Sequence, residues 1–254
     1  MIRYGATTIM VEQDYNTLCV DNFFNNTDLI LDFVDTLKFK KSDDGRWPGE
    51  RTEFLHDIDK ELSQLIVCKI LNNVYDLSAT KISWQDSQLQ FQKIKPYSKK
   101  EYSYKNKGWI HQDGDDYDLA GLIYLTKGAD LNSGTSLFKI KDSKKSIDDL
   151  DSYERQNLKN KLYSGKTINE KDYKVKMKKH EDNFDETVTF KNVFNRMIMY
   201  HGQTYHRANN FSDKERLTLV FFIKGLSAEN QHSLLFDRKK QPDSQIDNII
   251  EKLI

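Results

Sequence analysis

The sequence lacks an excess of charge of either sign. Its 254 residues carry 39 Lys and Arg against 39 Asp and Glu, so no overall field draws the chain to DNA, RNA or an anionic membrane surface. Function has to reside in a site. Cysteine is scarce: Cys19 and Cys68 each stand in an apolar run, outside any CxxC spacing. That argues against a disulfide framework or a zinc knuckle and fits a reducing compartment. Long apolar runs are missing as well. The run LTLVFFI at 217–223 falls well short of the roughly 18 residues that a membrane span requires, and the N-terminus shows no basic flank followed by an apolar signal core. The expectation is a cytoplasmic protein with no nucleic-acid or membrane partner. Oligomeric state is not legible. The length suffices for one large domain whose core needs no staples.

What is present is a change of period along the chain. In NTLCVDNFFNNTDLILDFVDTLKF a short apolar strand leads into a helix, with Leu29, Ile30, Phe33, Val34 and Leu37 on one face and Asn, Thr and Asp28 as start signals. A second helical run places Leu55, Ile58, Leu62, Leu65, Ile66 and Ile70 at helical spacing. Between them lies RWPGERT, whose Pro48-Gly49 is a turn signal. From residue 81 the period falls to two: ISWQ, then QLQFQKI with Leu89 and Phe91 alternating against Gln, the mark of half-buried antiparallel strands. Strands are expected over 118–126, 134–140, 186–194, 196–200 and 216–223. Helices followed by several short strands predict an all-β barrel or sandwich with helices packed outside it. Residues 141–185 break the rhythm, being crowded with charge and poor in large aliphatics. They read as an insertion between strands, part of it a solvated helix with a Ser146/Asp149 capping box and a stop at Gly165, the alternative being a solvated decoration with no role in the reaction.

Within GWIHQDGDD, His111 and Asp113 stand two apart on an extended segment, so both side chains point to one side and can grip a single cation. The bare spacing proves nothing. Six His and 27 Asp in this chain give roughly 0.6 such triplets by chance, and there are two. The other, His180/Asp182 in KMKKHEDNF, reads as a solvated surface pair, and His180→Ala is expected to be silent. A second histidine would complete a facial set of two His and one carboxylate, the geometry of Fe(II) oxygenases with three adjacent positions open. His201 and His206 compete for that place. His206 lies 10 residues before Arg216 (216 − 206) and His201 lies 15 (216 − 201). The shorter interval lets one strand end and the next return antiparallel, bringing a guanidinium beside the metal. On the returning strand Arg216, Thr218, Val220 and Phe222 share a face that holds no acid. A buried arginine needs an anion, and a dicarboxylate would supply one, with Thr218 as a further donor.

These residues resemble the iron(II)/2-oxoglutarate-dependent oxygenases, in particular their prolyl-4-hydroxylase-like branch. WIHQD, LAGLIYLT, GTSLF, NRMIMY, the following His and RLTLVFF are similar to that branch over 109–223, and CVDNFFNNTDLILDFVDTLKF to its N-terminal strand and helix. WPGERT is similar to an element of bacterial and phage members. The resemblance implies a double-stranded β-helix (jelly-roll, cupin-like) with N-terminal helices. It divides the chain into helical support at 20–75, a β-helix core at 80–225 interrupted by the insertion, and a C-terminal extension at 226–254, all one oxygenase domain over 1–254. It implies iron on His111, Asp113 and His206, and 2-oxoglutarate's far carboxylate on Arg216 with Thr218. Tyr124 stands where relatives often place a tyrosine near that carboxylate, and core packing explains it as well. The implied reaction decarboxylates 2-oxoglutarate to succinate and CO2 with O2 and hydroxylates an unactivated C–H bond. The 95 residues between His111 and His206 (206 − 111) exceed the usual separation because of the insertion. Asp115, Asp116 and Asp118 read as a solvated turn.

The substrate is left open between a prolyl or other peptide in a groove walled by 47–52 and the insertion, with Trp47, Trp109 and Arg51 exposed, and a small molecule such as an amino acid in a closed pocket. Two further readings stay open: an idle β-helix serving as a binding or structural module, and a zinc hydrolase on the same three ligands, which leaves Arg216 unexplained. Replacement of 143–182 by a short linker is expected to spare iron and 2-oxoglutarate binding and weaken turnover of the substrate.

Overall fold

The computed structural model describes residues 17–75, 77, 81–100, 103–114, 116–142, 153–211, 214–228 and 244–253. A short edge strand, β1 (Leu18–Val20), leads into helix α1 (Thr27–Asp35). The Asn26 side chain accepts from Leu29 N at 3.4 Å and starts α1, and Ile30 and Val34 form its buried stripe. Strands β2 (Lys40–Lys41) and β3 (Glu50–Arg51) form a small hairpin across the Pro48-Gly49 turn, which the periodicity did not show. The expected run over 55–70 is two helices, α2 (Leu55–Ile58) and α3 (Lys60–Leu71). Asp59 stands between them in extended backbone, and its side chain accepts from Leu62 N at 2.9 Å. An N-cap set inside an apolar run outweighs the continuity of the pattern.

The strands follow: β4 (Ile82–Ser83), β5 (Asp86–Ile94), β6 (Leu119–Tyr124) and β7 (Thr135–Ile140). Helices α4 (Tyr153–Tyr163) and α5 (Glu170–Glu181) come next. The chain then continues through β8 (Phe184–Phe190), β9 (Met197–His201), β10 (Tyr205–Ala208), β11 (Arg216–Lys224), β12 (Ser227–Ala228) and helix α6 (Ser244–Leu253). The expected strand over 186–194 thus starts earlier and ends at Phe190. Strand β10, too short and polar for a period to register, was visible only as the histidine it carries.

One sheet runs in the order β1-β9-β6-β11-β5-β3-β2 and a second in the order β10-β7-β8, extended on the β10 edge by a bridge from His111 to His206. All the pairings are antiparallel. Counting the His111 segment as a strand, the chain passes back and forth between the two sheets through eight core strands, with β7 and β8 the one consecutive pair in the same sheet, which is the double-stranded β-helix, or jelly-roll. Ala120, Leu122 and Tyr124 of β6, Ile198 and Tyr200 of β9 and Val220 of β11 meet Leu137 and Phe190 of the smaller sheet. The alternate residues, Leu119, Ile123, Met197, Met199, Leu219, Phe221 and Ile223, face the other way and pack with Ile30, Val34, Leu62 and Ile66 of the N-terminal helices. Strand β6 is therefore buried on both faces, and its sequence reads as a continuous apolar run. Its Gly121 is required by packing: a Cβ there would lie 2.5 Å from the Phe221 ring and 2.2 Å from Ile198 O. Ile250 of α6 joins the same helical layer.

The helices of the insertion correct the reading of part of residues 141–185 as a solvated helix, and the alternative of a solvated decoration with them. Leu162, Tyr163, Tyr173 and Met177 of α4 and α5 are buried with Ile94, Trp109 and Phe211, and Trp109 Nε1 donates to Tyr173 OH at 2.7 Å. Each fully buried side chain of this size contributes about 1.5–3 kcal/mol. The expectation that a linker could replace 143–182 without cost to the barrel is therefore withdrawn. Trp109, expected exposed, is 1% exposed. Aromatic residues carry much of this packing beside Leu162 and Met177, so a count of large aliphatics missed it. Gly165 does stop α4, with φ +78 and Lys166 N bonded to Lys161 O at 2.9 Å. Ser146 and Asp149 lie outside the described residues. Among the described residues no helix is long and apolar enough to cross a membrane.

Candidate active site

Residues 108–111 run antiparallel to β10. Gly108 N bonds Ala208 O at 2.9 Å, His111 N bonds His206 O at 3.1 Å, and His206 N bonds His111 O at 2.9 Å. Directly opposed residues of an antiparallel pair project to one face, and the two imidazole centroids lie 4.5 Å apart. Asp113, two residues on, joins them from the same side: its Oδ1 is 3.7 Å from His111 Nε2 and its Oδ2 is 3.3 Å from His206 Nε2. One ligand atom from each of the three lies within 4.8 Å of the other two.

The hydrogen bonds fix the tautomers. Nδ1 of His111 faces Trp109 O at 2.9 Å, and Nδ1 of His206 faces Thr204 O at 2.9 Å. A carbonyl only accepts, so each Nδ1 carries the proton and each Nε2 is left as a lone pair. Three acceptor atoms then face one another, and Asp113 Oδ2 is buried without a hydrogen bond. Only a cation resolves such a cluster, and without a metal that cation is a proton. Burial works against protonating either imidazole; at His206 the adjacent Asp113 charge overcomes it and raises the pKa. At His111, burial and the His206 charge push it down to about 3. Asp113 is held below the usual carboxylate range: burial would raise it, but both histidines outweigh burial.

A single cavity of about 520 Å3 touches all three residues and reaches Arg216 on β11. Arg216 and Thr218 are 3% and 0% exposed. Nε and Nη2 of Arg216 and Oγ1 of Thr218 find no hydrogen-bond partner. Burial lowers the Arg216 pKa, and neighbouring Tyr124 resists the shift. Tyr124 lies opposite Thr218 in the register, with the Arg216 guanidinium 5.4 Å from its ring centroid. Its hydroxyl donates to Thr135 Oγ1 at 2.9 Å, so it packs in the core and flanks the arginine at once. His201 stands at the end of β9, opposite Leu119 and outside the three-residue cluster. Asp116 pairs with Lys224, and Asp118 Oδ2 accepts from Leu226 N at 2.7 Å, as turn residues do. Asp115 lies outside the described residues.

His180 is not the solvated histidine expected. Although Asp182 beside it is exposed on the α5 C-cap, the His180 Nε2 sits 2.8 Å from Ile110 O. Its ring packs 5.6 Å from Trp109 and 5.0 Å from Phe184. The lysines around it occupy the outer side of α5, which is why the local composition misled. Since Ile110 precedes a candidate ligand, His180→Ala is expected to cost about 1–2 kcal/mol. That lowers the melting temperature by about 2–8 °C, as differential scanning calorimetry would read.

Further groups escaped the sequence reading. Gln88, Gln90 and Gln92 of β5 turn into the cavity; a polar half of an alternating strand was taken as solvent-facing. Gln90 Nε2 donates to Thr52 O at 2.7 Å and Gln92 Nε2 to Pro48 O at 2.8 Å. These bonds fasten the 48–52 segment to β5, and Gly49, in left-handed backbone at φ +71, allows the close approach. Arg51 is thereby held inside the cavity, half-buried, its guanidinium 5.1 Å from the Trp47 ring centroid. Lys159 of α4 lines the cavity from the opposite element.

The sequence model of DUF6445, described as a family of unknown function, matches residues 3–219. No curated protein matches the chain. Among solved structures it is similar to a prolyl hydroxylase from Trichoplax adhaerens in complex with a hypoxia inducible factor peptide, at 11% identity and TM-score 0.47, covering 82% of this chain and 83% of that one. It is also similar to a Pseudomonas putida prolyl-4-hydroxylase, at 12% identity and TM-score 0.43, covering 82% and 92%. A third is HygX from Streptomyces hygroscopicus, with nickel and 2-oxoglutarate bound, at 11% identity and TM-score 0.46, covering 82% of each chain.

Proposed function

The chain belongs to the DUF6445 family, and we propose that it is an Fe(II)- and 2-oxoglutarate-dependent dioxygenase that hydroxylates an unactivated C–H bond of a peptidyl or small-molecule substrate. The observation that carries this reading is the pairing, in one cavity, of a three-acceptor cluster with a buried guanidinium lacking a counter-ion. A cation and a dianion satisfy both at once. Two imidazole nitrogens and one carboxylate oxygen suit a divalent metal of intermediate hardness, and Fe(II) on His111, Asp113 and His206, with 2-oxoglutarate and O2, would supply the oxidising chemistry.

The protein's own part is binding and orientation. Trp109 O and Thr204 O hold the two Nδ1 protons, so both imidazoles present Nε2. Arg216 receives the distal carboxylate of 2-oxoglutarate through its planar fork, with Thr218 as a further donor and the Tyr124 ring fixing the guanidinium. Tyr200, Val220 and Phe222 line the cavity with apolar surface, which limits water around the reacting atoms and strengthens the charge interactions there.

The test is succinate formation from 2-oxoglutarate by the purified protein, with and without Fe(II), against a panel of prolyl peptides, free amino acids and small organic acids. Iron-dependent succinate release stimulated by one class is the expected result. Zinc-dependent hydrolysis without 2-oxoglutarate consumption would replace this reading with a hydrolase.

A further inference from the structure

Arg216 accounts for one of the cations in the cavity. Two others reach its interior: Arg51 from β3 and Lys159 from α4. Arg46 also touches it, but Arg46 is exposed at the rim and pairs with Asp44 at 2.6 Å. Among the described residues the one acid in the lining is Asp113. A divalent metal and the 2-oxoglutarate dianion cancel each other, so with both bound, Arg51, Lys159 and Arg216 face one carboxylate, an excess of two positive charges. Buried charge left unbalanced is costly.

Neither residue has an internal solution. Arg51 reaches only Gln90 Oε1, at the long distance of 3.5 Å, and its Nε is buried without a partner. Lys159 forms no ion pair among the described residues. Burial lowers the Arg51 pKa to about 10 and the Lys159 pKa to about 8, the latter with help from neighbouring Arg155. At neutral pH both still carry charge. They arrive on separate elements, each anchored: Arg51 by the glutamine bonds to 48–52, Lys159 by the packing of Leu162 and Tyr163 one turn further along α4. The Trp47 indole lies beside the Arg51 guanidinium and adds a flat apolar wall.

We infer that Arg51 and Lys159 form a second anion-binding pole of the cavity, and that the primary substrate is a small organic acid, such as a free amino acid, whose carboxylate they receive. Arg51 offers a planar fork to a carboxylate and Lys159 a point charge. A neutral internal segment of a peptide would leave both cations uncompensated. The inference rests on the oxygenase reading for what occupies Arg216.

The test uses the full chain loaded with Ni(II), which binds the same donors without turnover, and 2-oxoglutarate. Titration calorimetry first measures 2-oxoglutarate binding; its absence overturns the oxygenase reading itself. With it bound, free L-amino acids and small mono- and dicarboxylates are titrated in parallel with their carboxamides and with N-acetylated, amidated prolyl peptides. The expected result is binding confined to free acids, weakened about tenfold or more by Arg51→Met and by Lys159→Met, with Lys159→Arg restoring most of it and the affinity for 2-oxoglutarate unchanged throughout. Equal binding of acids and amides, binding of the amidated peptides alone, or binding of no panel member overturns the inference. So does a loss of 2-oxoglutarate affinity in Arg51→Met, which would assign Arg51 to the co-substrate.

Discussion

In Asp113→Ala, tight Fe(II) binding is expected to vanish while the fold persists. The carboxylate is the one negative ligand of the candidate set, and its removal leaves two neutral imidazoles to hold a labile divalent ion. Losing only an outer hydrogen-bond partner of a metal ligand costs roughly 10- to 100-fold in affinity, so losing the ligand itself should cost more than about a hundredfold. Stability of the unliganded protein should fall modestly, because the folded state holds the Asp113 carboxyl below its usual range and its charge offsets the cations Arg51 and Lys159. His206→Ala should likewise lose iron, and His201→Ala should keep it. Equilibrium dialysis against Fe(II) under anaerobic conditions reads all three. Iron lost in His201→Ala but retained in His206→Ala would show the wrong histidine chosen.

The second large effect is expected at Arg216. In Arg216→Met the metal should remain while the affinity for 2-oxoglutarate falls by roughly 30- to 150-fold, the equivalent of about 2–3 kcal/mol for a charge-assisted contact. Arg216→Lys should recover part of it, since an ammonium supplies the charge without the fork. A separate signature guards against a merely structural explanation. Two guanidinium nitrogens of Arg216 are buried and unsatisfied, so the unliganded Met variant should melt no lower than the wild type, and addition of 2-oxoglutarate should stabilise the wild type alone. Equal stabilisation of both would remove Arg216 from the site.

The legible parts of this fold share one property: they are written in local periodicity. The strand carrying Arg216 and Thr218 stands out as an apolar run with two polar residues on one face, and it follows His206 by 10 residues, although β10 and β11 lie in different sheets and do not pair as the expected antiparallel return would have them. The continuous apolar run of β6 marked a strand buried on both faces, while Tyr124 was singled out by the family resemblance alone. What stayed hidden depends on pairings distant in sequence. His180 is 70 residues from the Ile110 carbonyl it meets, and the lysines beside it belong to the outer side of the same helix. The glutamines of β5 look like the wet half of an amphipathic strand until the curvature of the barrel turns them inward. Arg51 sits in a two-residue strand whose position depends on the bonds from Gln90 to Thr52 and from Gln92 to Pro48, pairs 38 and 44 residues apart.

The helical hairpin of α4 and α5 bears on how such a site can change over evolution. It carries Lys159 into the cavity and hangs His180 on the residue before a candidate ligand. Its Glu181 pairs with both Lys107 and Arg207, the latter on the strand of His206. A new specificity could not be imported by exchanging the hairpin as a detachable cassette, because the transplanted helices would arrive without their partners and would shift the histidines beneath them. The heritable unit is the hairpin together with 107–111 and 207–211. Changes that retune substrate choice should therefore accumulate first at single inward positions such as 159 and 51, which touch the cavity and hold neither histidine in place.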